Sequence, residues 1–163
     1  MKIRLQTLTL RNFKGVEDLT VNFTGNMAIL GANESGKSTL CTAYTWLLPG
    51  KDEFDRQDYE IKNTVKTELN IHPHEVEGVF LVDDRELKLR RVYMEKWTKP
   101  RGQAAKVFEG HYVEYFQNDV PCSATEYREK VDAIIPVKII KLITNPTFFN
   151  TQSWQDQRRG LLS

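Results

Sequence analysis

The apolar positions change period several times along the chain, and each change marks an element. Ile3, Leu5, Leu8 and Leu10 give a strand over residues 2–13, with its alternation broken near Thr7. After a turn at Gly15, Leu19, Val21 and Phe23 alternate with polar neighbours, the pattern of a half-buried strand. Met27-Ala28-Ile29-Leu30 is a continuous apolar run and predicts a short strand buried on both faces. A glycine-bearing loop follows, and then Leu40, Ala43, Tyr44 and Leu47 fall on one helical face that ends at Pro49-Gly50. Residues 51–63 are polar and charged and read as a loop.

The middle of the chain is rich in strand signals. Val65, Thr67, Leu69 and Ile71 alternate with polar residues, Val76 to Val82 is apolar, and Leu87, Leu89, Arg91 and Tyr93 alternate again. Asp83-Asp84 and Asn118-Asp119 are turn signals, and a basic loop precedes a strand over about residues 107–116. Ser123 and Glu126 have the spacing of a capping box, ahead of a helix whose face is Tyr127, Val131 and Ile134 and whose end is Pro136. Val137 to Ile143 reads as an apolar strand. Ser153 with Asp156 opens a last helix that runs without a stop signal to Ser163.

With 163 residues and 40% hydrophobic content, the chain suits one globular unit with its own core. No apolar run reaches the roughly 20 residues of a membrane span, and the alternating start lacks the continuous apolar stretch of a secretory signal. The formal net charge of +1 assigns any polyanion contact to a local patch. Cys41 and Cys122 have no metal-type spacing, which points to a reduced, cytoplasmic setting.

The chemistry concentrates at Gly31-Ala32-Asn33-Glu34-Ser35-Gly36-Lys37-Ser38, which meets the phosphate-loop pattern G-x-x-x-x-G-K-[ST] in full. Glycines let such a loop turn its N–H groups toward phosphate oxygens, and the following helix adds its positive end. Lys37 then reaches the β- and γ-phosphates of a nucleoside triphosphate, and the Ser38 hydroxyl is the expected Mg²⁺ ligand. The strand before and the helix after argue against a chance match in an ordinary turn.

A phosphate loop needs an acid at the end of an apolar strand to hold the Mg²⁺ shell. Asp83 follows such a strand, but the alternation of residues 87–93 favours a hairpin with Asp83-Asp84 at its tip. The alternative is a self-contained P-loop kinase or NTPase using Asp83. Another is an assembly module that binds nucleotide without catalysis.

Three further features are weighed against plainer readings. His72-Pro73-His74 lacks the partners of a zinc site and reads as a solvated strand end. Cys41 reads as a small core residue. The basic segment Lys96 to Lys106, with Arg90 and Arg91 before it, is either a solvated hairpin loop or a contact for DNA phosphates. Tyr112, Tyr115 and Phe116 read as sheet packing.

The first fifty residues resemble the head domains of the SMC, RecF and SbcC type, ABC-type ATPases of the AAA family. Leu8-Thr9-Leu10-Arg11-Asn12-Phe13-Lys14-Gly15 is similar to their opening strand I-x-N-F-K/R, and Gly31 to Thr39 is similar to their loop G-x-N-x-S-G-K-S-T. Leu48 to Asp52 with Tyr59 to Lys62, and Asn145 to Phe149 through Trp154 to Arg159, resemble phage and bacterial members.

The resemblance implies an α/β P-loop NTPase lobe, with a mixed and largely antiparallel sheet around the phosphate-loop helix. It implies that residues 1–163 form one N-terminal nucleotide-binding lobe, ending near where a coiled coil begins. A C-terminal lobe would supply the signature sequence, the Walker B acid and the catalytic glutamate. The cofactors implied are ATP and Mg²⁺; the preference for ATP comes from the resemblance, and the lack of a guanine-type N/T-K-x-D run agrees with it. The partners implied are that lobe, a second head in a homodimer, DNA and an SbcD-type nuclease, in the cytoplasm and without a membrane. Lys37 takes the catalytic position, and Gly31, Asn33, Glu34, Ser35, Gly36, Ser38 and Thr39 line the phosphates. Arg11, Asn12 and Phe13 approach the nucleotide from the first strand, and Arg56 or Lys62 from the charged loop. The family's Q-loop glutamine, which touches the metal shell, is replaced by Asn145, with Gln152 and Gln155 as nearby alternatives.

Overall fold

The computed structural model describes residues 2–25, 27–31, 36–51, 60–63, 66, 70–99, 101–102, 105–145 and 147–162, the last three by backbone alone. Six strands form one sheet in the order β2-β1-β3-β4-β5-β6, and every neighbouring pair is antiparallel. They are β1 (Ile3–Phe13), β2 (Val16–Asn22), β3 (His74–Val82), β4 (Arg85–Thr98), β5 (Val107–Gln117) and β6 (Val120–Cys122). The helices are α1 (Lys37–Leu47), α2 (Ala124–Ile134), α3 (Val137–Thr144), α4 (Phe148–Thr151) and α5 (Trp154–Leu162). None of these helices is long and apolar enough to cross a membrane.

The tight turns follow from their residues. Asp83 and Asp84 have φ of 46° and 67°, and Asn118 and Asp119 have 48° and 65°. Two successive positive φ values match the right-handed twist of paired strands, and Asn and Asp tolerate that conformation at low cost. Asp83-Asp84 is therefore the hairpin tip between β3 and β4. The Lys2 backbone N–H donates to its Oδ1 at 2.6 Å, and the Asp83 N–H donates to the Lys2 carbonyl.

Strand alternation sorts the sheet into two faces. Leu8, Leu10, Val76, Phe80, Leu87 and Leu89 point to the face that α1 and α2 cover, and all are buried. Ala43, Trp46 and Leu47 of α1 and Tyr127, Val131 and Ile134 of α2 complete this core. α2 starts at the expected capping box: the Ser123 N–H donates to Glu126 Oε2, and the Glu126 N–H to Ser123 Oγ. The opposite face carries an ionic lattice in which Arg11 and Arg90 share Glu75, and Lys88 bridges Glu77 and Asp119.

Several expectations are corrected. Met27 to Leu30 forms no strand among the described residues; Ile29 is 42% and Leu30 89% exposed. A short apolar run is buried only where an element covers it, and none of the described elements does. Val137 to Ile143 is helix, not strand: Pro136 takes the N-cap position at φ −53°, and its carbonyl accepts from the Ile139 and Ile140 N–H groups. Apolar runs of this length fit either period, and here only Ile140 is buried. In the strand foreseen over 65–71, Val65, Thr67 and Leu69 lie outside the described residues, while Asn70 and Ile71 form a 3₁₀ turn. Cys41 is exposed, because it sits two residues from inward-facing Ala43, about 200° round the helix.

His74 is also corrected. It is fully buried rather than solvated, packed at 5.9 Å from the Tyr93 ring. Its Nδ1 faces the Asn12 carbonyl, which can only accept, so Nδ1 carries the proton. Burial holds its pKa below the ordinary histidine value, and His111, stacked on Tyr93, is lowered for the same reason.

Two outcomes follow. A folded-state pKa below the unfolded one gives stability that is present above the unfolded value, about 6.5, and lost as pH falls through the folded value. The urea midpoint should therefore drop between pH 7.5 and 5.5, and His74→Gln, which keeps a donor without titrating, should flatten that slope. At Gly78, an added Cβ would meet Leu47 Cδ2 at 2.6 Å and Phe80 Cε2 at 2.9 Å. Gly78→Ala should cost about 1–3 kcal/mol by overpacking, read from the same urea curves.

Candidate nucleotide-binding site

The site is built on the start of α1. Gly36 is its N-cap, with φ 84° and ψ 12°. The space beside Gly36 would admit a Cβ, at 3.7 Å from Val16 Cγ2, so backbone conformation is what requires glycine here. Among the described residues no side chain caps this end, and the first turn has no acidic residue. The positive end of the helix dipole faces the loop, where it favours an anion. Lys37 Nζ donates to the Gly31 carbonyl at 2.7 Å, so the lysine reaches back across the loop that it follows. Ser38 is exposed and Thr39 half-buried on the same turn. Gly31, Gly36, Lys37, Ser38 and Thr39 thus stand together, while Asn33, Glu34 and Ser35 lie outside the described residues. The arrangement suits a phosphate chain whose Mg²⁺ takes an oxygen from Ser38.

The residues expected from β1 divide. Arg11 points to the face opposite α1, where it pairs with Glu75. Phe13 is fully buried, with its ring 5.3 Å from that of Trp46. Asn12 has φ 50° and directs its amide toward the His72 and Pro73 carbonyls, at 3.5 Å each. These three shape the end of β1 beside the site, and Arg11 and Phe13 turn their side chains elsewhere. Lys62 pairs with Glu95, and Arg56 lies outside the described residues.

Asn145 is not arranged as a metal ligand. Its Oδ1 accepts from the Thr147 N–H, the Thr147 hydroxyl and the Phe148 N–H, a local cap on α4. The short stem of asparagine favours this local bonding over a longer reach. Gln152 is half-buried and Gln155 exposed. Among the described residues, no cluster of three His, Cys, Asp or Glu side chains could hold a metal ion.

Asp83 is far from the loop. β1 runs from Ile3, which pairs with Val82, to Phe13, which pairs with Val16 beside Gly36. At about 3.3 Å per residue, those ends are roughly 30 Å apart. Asp83 cannot share a Mg²⁺ shell with Ser38 in this fold, and the reading of a self-contained site built on it is set aside.

Sequence reasoning missed what holds the far end of α1. Arg91, buried at 8% exposure, donates from Nη1 to the Trp46 carbonyl, and the Tyr127 hydroxyl donates to the Leu47 carbonyl at 2.9 Å. The signal was present: Arg91 occupies an inward position in the alternation Leu87, Leu89, Arg91, Tyr93. Arg91 is therefore no DNA contact, and Arg90 is engaged by Glu75 and by the Phe116 ring, 3.9 Å away. Tyr115 packs on Tyr127 at 5.1 Å, as a sheet-packing residue should.

Among solved structures, a RecF protein described as a recombination mediator in an ATP complex is 20% identical, with TM-score 0.54 over 76% of this chain and 28% of that one. The SMC head domain of Pyrococcus yayanosii, with a coiled coil and joint, is 19% identical, with TM-score 0.55 over 98% and 29%. The SMC head domain of Thermotoga maritima is 23% identical, with TM-score 0.50 over 78% and 41%. The chain thus spans less than half of each, and the likeness is one of fold, that of the P-loop ATPase heads. No curated protein sequence matches. The family model described as AAA domain matches residues 7–156, nearly the whole chain, so the chain belongs to the AAA domain family.

Proposed function

We propose that the chain is the ATP-binding N-terminal half of an SMC-like ATPase head that serves DNA repair and recombination. In this reading Gly31 to Thr39 hold the triphosphate, Ser38 a Mg²⁺ ion, and Lys37 the β- and γ-phosphates. A C-terminal lobe adds the acid and the catalytic glutamate, and two heads close on ATP in the cytoplasm, in concert with a nuclease of the SbcD type. The observation that carries the reading is the glycine-capped start of α1, without a side-chain cap among the described residues and with Lys37 reaching Gly31, while Asp83 stands at the opposite end of the sheet. The exposed run Met27 to Leu30, leading straight into the loop, supports a strand of another lobe beside it.

Calorimetric titration of Mg-ATP tests this. Losing one charge-assisted contact of about 1.5–3 kcal/mol should weaken binding roughly 10- to 100-fold in Lys37→Ala. Asp83→Asn should bind as the parent does. Brisk hydrolysis by the 163-residue chain alone, abolished in Asp83→Asn, would sink the half-site reading.

DNA contact rests on the tip of the β4–β5 hairpin. Residues 96–108 hold four cations and no acid. Lys96 pairs with Glu109, whereas Lys99, Arg101 and Lys106 are exposed and have no acidic partner among the described residues. Changing these three to alanine should flatten the slope of log affinity for duplex DNA against log salt by about 2 to 3. An unchanged slope would move the contact elsewhere.

A further inference from the structure

The last four carbonyls of a helix need partners from outside it. In α1, the Leu48 N–H donates to the Tyr44 carbonyl and the Gly50 N–H to that of Thr45, both at 3.2 Å. The Trp46 and Leu47 carbonyls are closed by side chains from elsewhere, Arg91 of β4 and Tyr127 of α2. No basic residue lies in the last turn of α1 itself.

The Arg91 guanidinium lies between the Trp46 and Tyr115 rings, 4.8 and 5.0 Å from their centroids, and its Nη2 donates to the Tyr115 hydroxyl at 3.3 Å. Gly50, at φ 79°, passes so close that an added Cβ would stand 2.6 Å from Nη1. Among the described residues no carboxylate pairs with Arg91, and its buried Nε has no hydrogen-bond partner. A buried cation without a carboxylate is a poor choice for stability alone, because an apolar side chain of similar volume would pack there without the desolvation penalty. What the guanidinium supplies is direction: a forked donor fixed to the negative end of α1.

We infer that Arg91 is a positioning residue for the phosphate site, and the inference rests on the nucleotide reading above. α1 has 11 residues, so it is a rod about 16 Å long with Lys37 and Ser38 at one end and the Arg91 clamp at the other. Arg91 is too far from the loop to touch a phosphate. It acts by stopping α1 from sliding along β3 and β4, since an axial slip at Trp46 is an equal slip at Lys37. A displacement of about 1 Å carries a phosphate contact out of hydrogen-bonding range.

The test compares the whole chain with Arg91→Met, Arg91→Lys, Tyr127→Phe and Lys37→Ala. Mg-ATP affinity is measured by calorimetry, thermal melting without nucleotide, and hydrogen exchange at the Leu40 amide, which makes the first bond of α1 to the Gly36 carbonyl. Arg91→Met should weaken Mg-ATP binding roughly tenfold, as the weakening of one charge-assisted phosphate contact would, and speed exchange at Leu40. Arg91→Lys should recover most of both while melting within a few degrees of the methionine variant. Tyr127→Phe, which releases only the Leu47 carbonyl, should shift both in the same direction and by less, and it carries the test with Arg91→Lys if the methionine variant does not fold. Parental affinity and exchange in Arg91→Met would overturn the inference. Equal loss in the lysine and methionine variants, in step with melting, would also overturn it and leave Arg91 merely structural. In the substitute pair, parental values for both would do the same. Unchanged binding in Lys37→Ala would instead sink the nucleotide reading, while Leu40 exchange still judges Arg91.

Discussion

The close seating of α1 on the sheet at Gly78 is the constraint from which the rest follows. Leu47 drops into the space that any side chain at this position would fill, and Phe80 closes over it from the next inward position of β3. That approach brings Trp46 within reach of Phe13 and of the Arg91 guanidinium, so one helix end touches β1 and β4 as well as β3. With its C-terminal half fixed in this way, α1 can present its first turn beyond the sheet, beside Val16, without a side-chain cap of its own.

The two ends of this helix are treated in opposite ways. At the start, the dipole is left uncompensated among the described residues, with glycine at the cap and no carboxylate in the first turn. At the end, the dipole meets a buried cation and a tyrosine hydroxyl. Compensation at the far end holds the helix in place, and its lack at the near end leaves attraction for an anion. The outer face of the sheet follows a third scheme, with alternating charges that cancel locally and cations at the β4–β5 tip that have no acidic partner among the described residues.

The features read correctly from sequence were those decided within a few residues. The Asp83-Asp84 and Asn118-Asp119 turns, the Ser123 capping box and the strands β3 and β4 each carry their own local cause. The failures were decided at a distance. Val137 to Thr144 has the composition of a strand and the fold of a helix, because its period is ambiguous over so short a run. Met27 to Leu30 looked buried because it is apolar, yet burial depends on what lies over it. In the site, Lys37 and Gly36 were legible from spacing, whereas the outward turn of Arg11 depends on the pleat of β1 counted from Leu10, because the positive φ of Asn12 breaks the alternation before Phe13. Arg91 carried a warning, a charge at an inward position, but its partner carbonyl lies 45 residues away.

The strand order also divides the labour of assembly. β1 with β2, and β3 through β6 in series, join by short connections or a single hairpin loop, so neighbours in sequence are neighbours in the sheet. The exception is the seam between β1 and β3, whose nearest partners, Arg11 and Glu75, are separated by the phosphate loop, α1 and the charged segment. Chain entropy grows only slowly with the length of a closed loop, but it must be met before the contacts that offset it form. Folding of this chain therefore meets its largest topological cost at one place, and the segment that must be gathered in to close it is the one that carries the nucleotide loop.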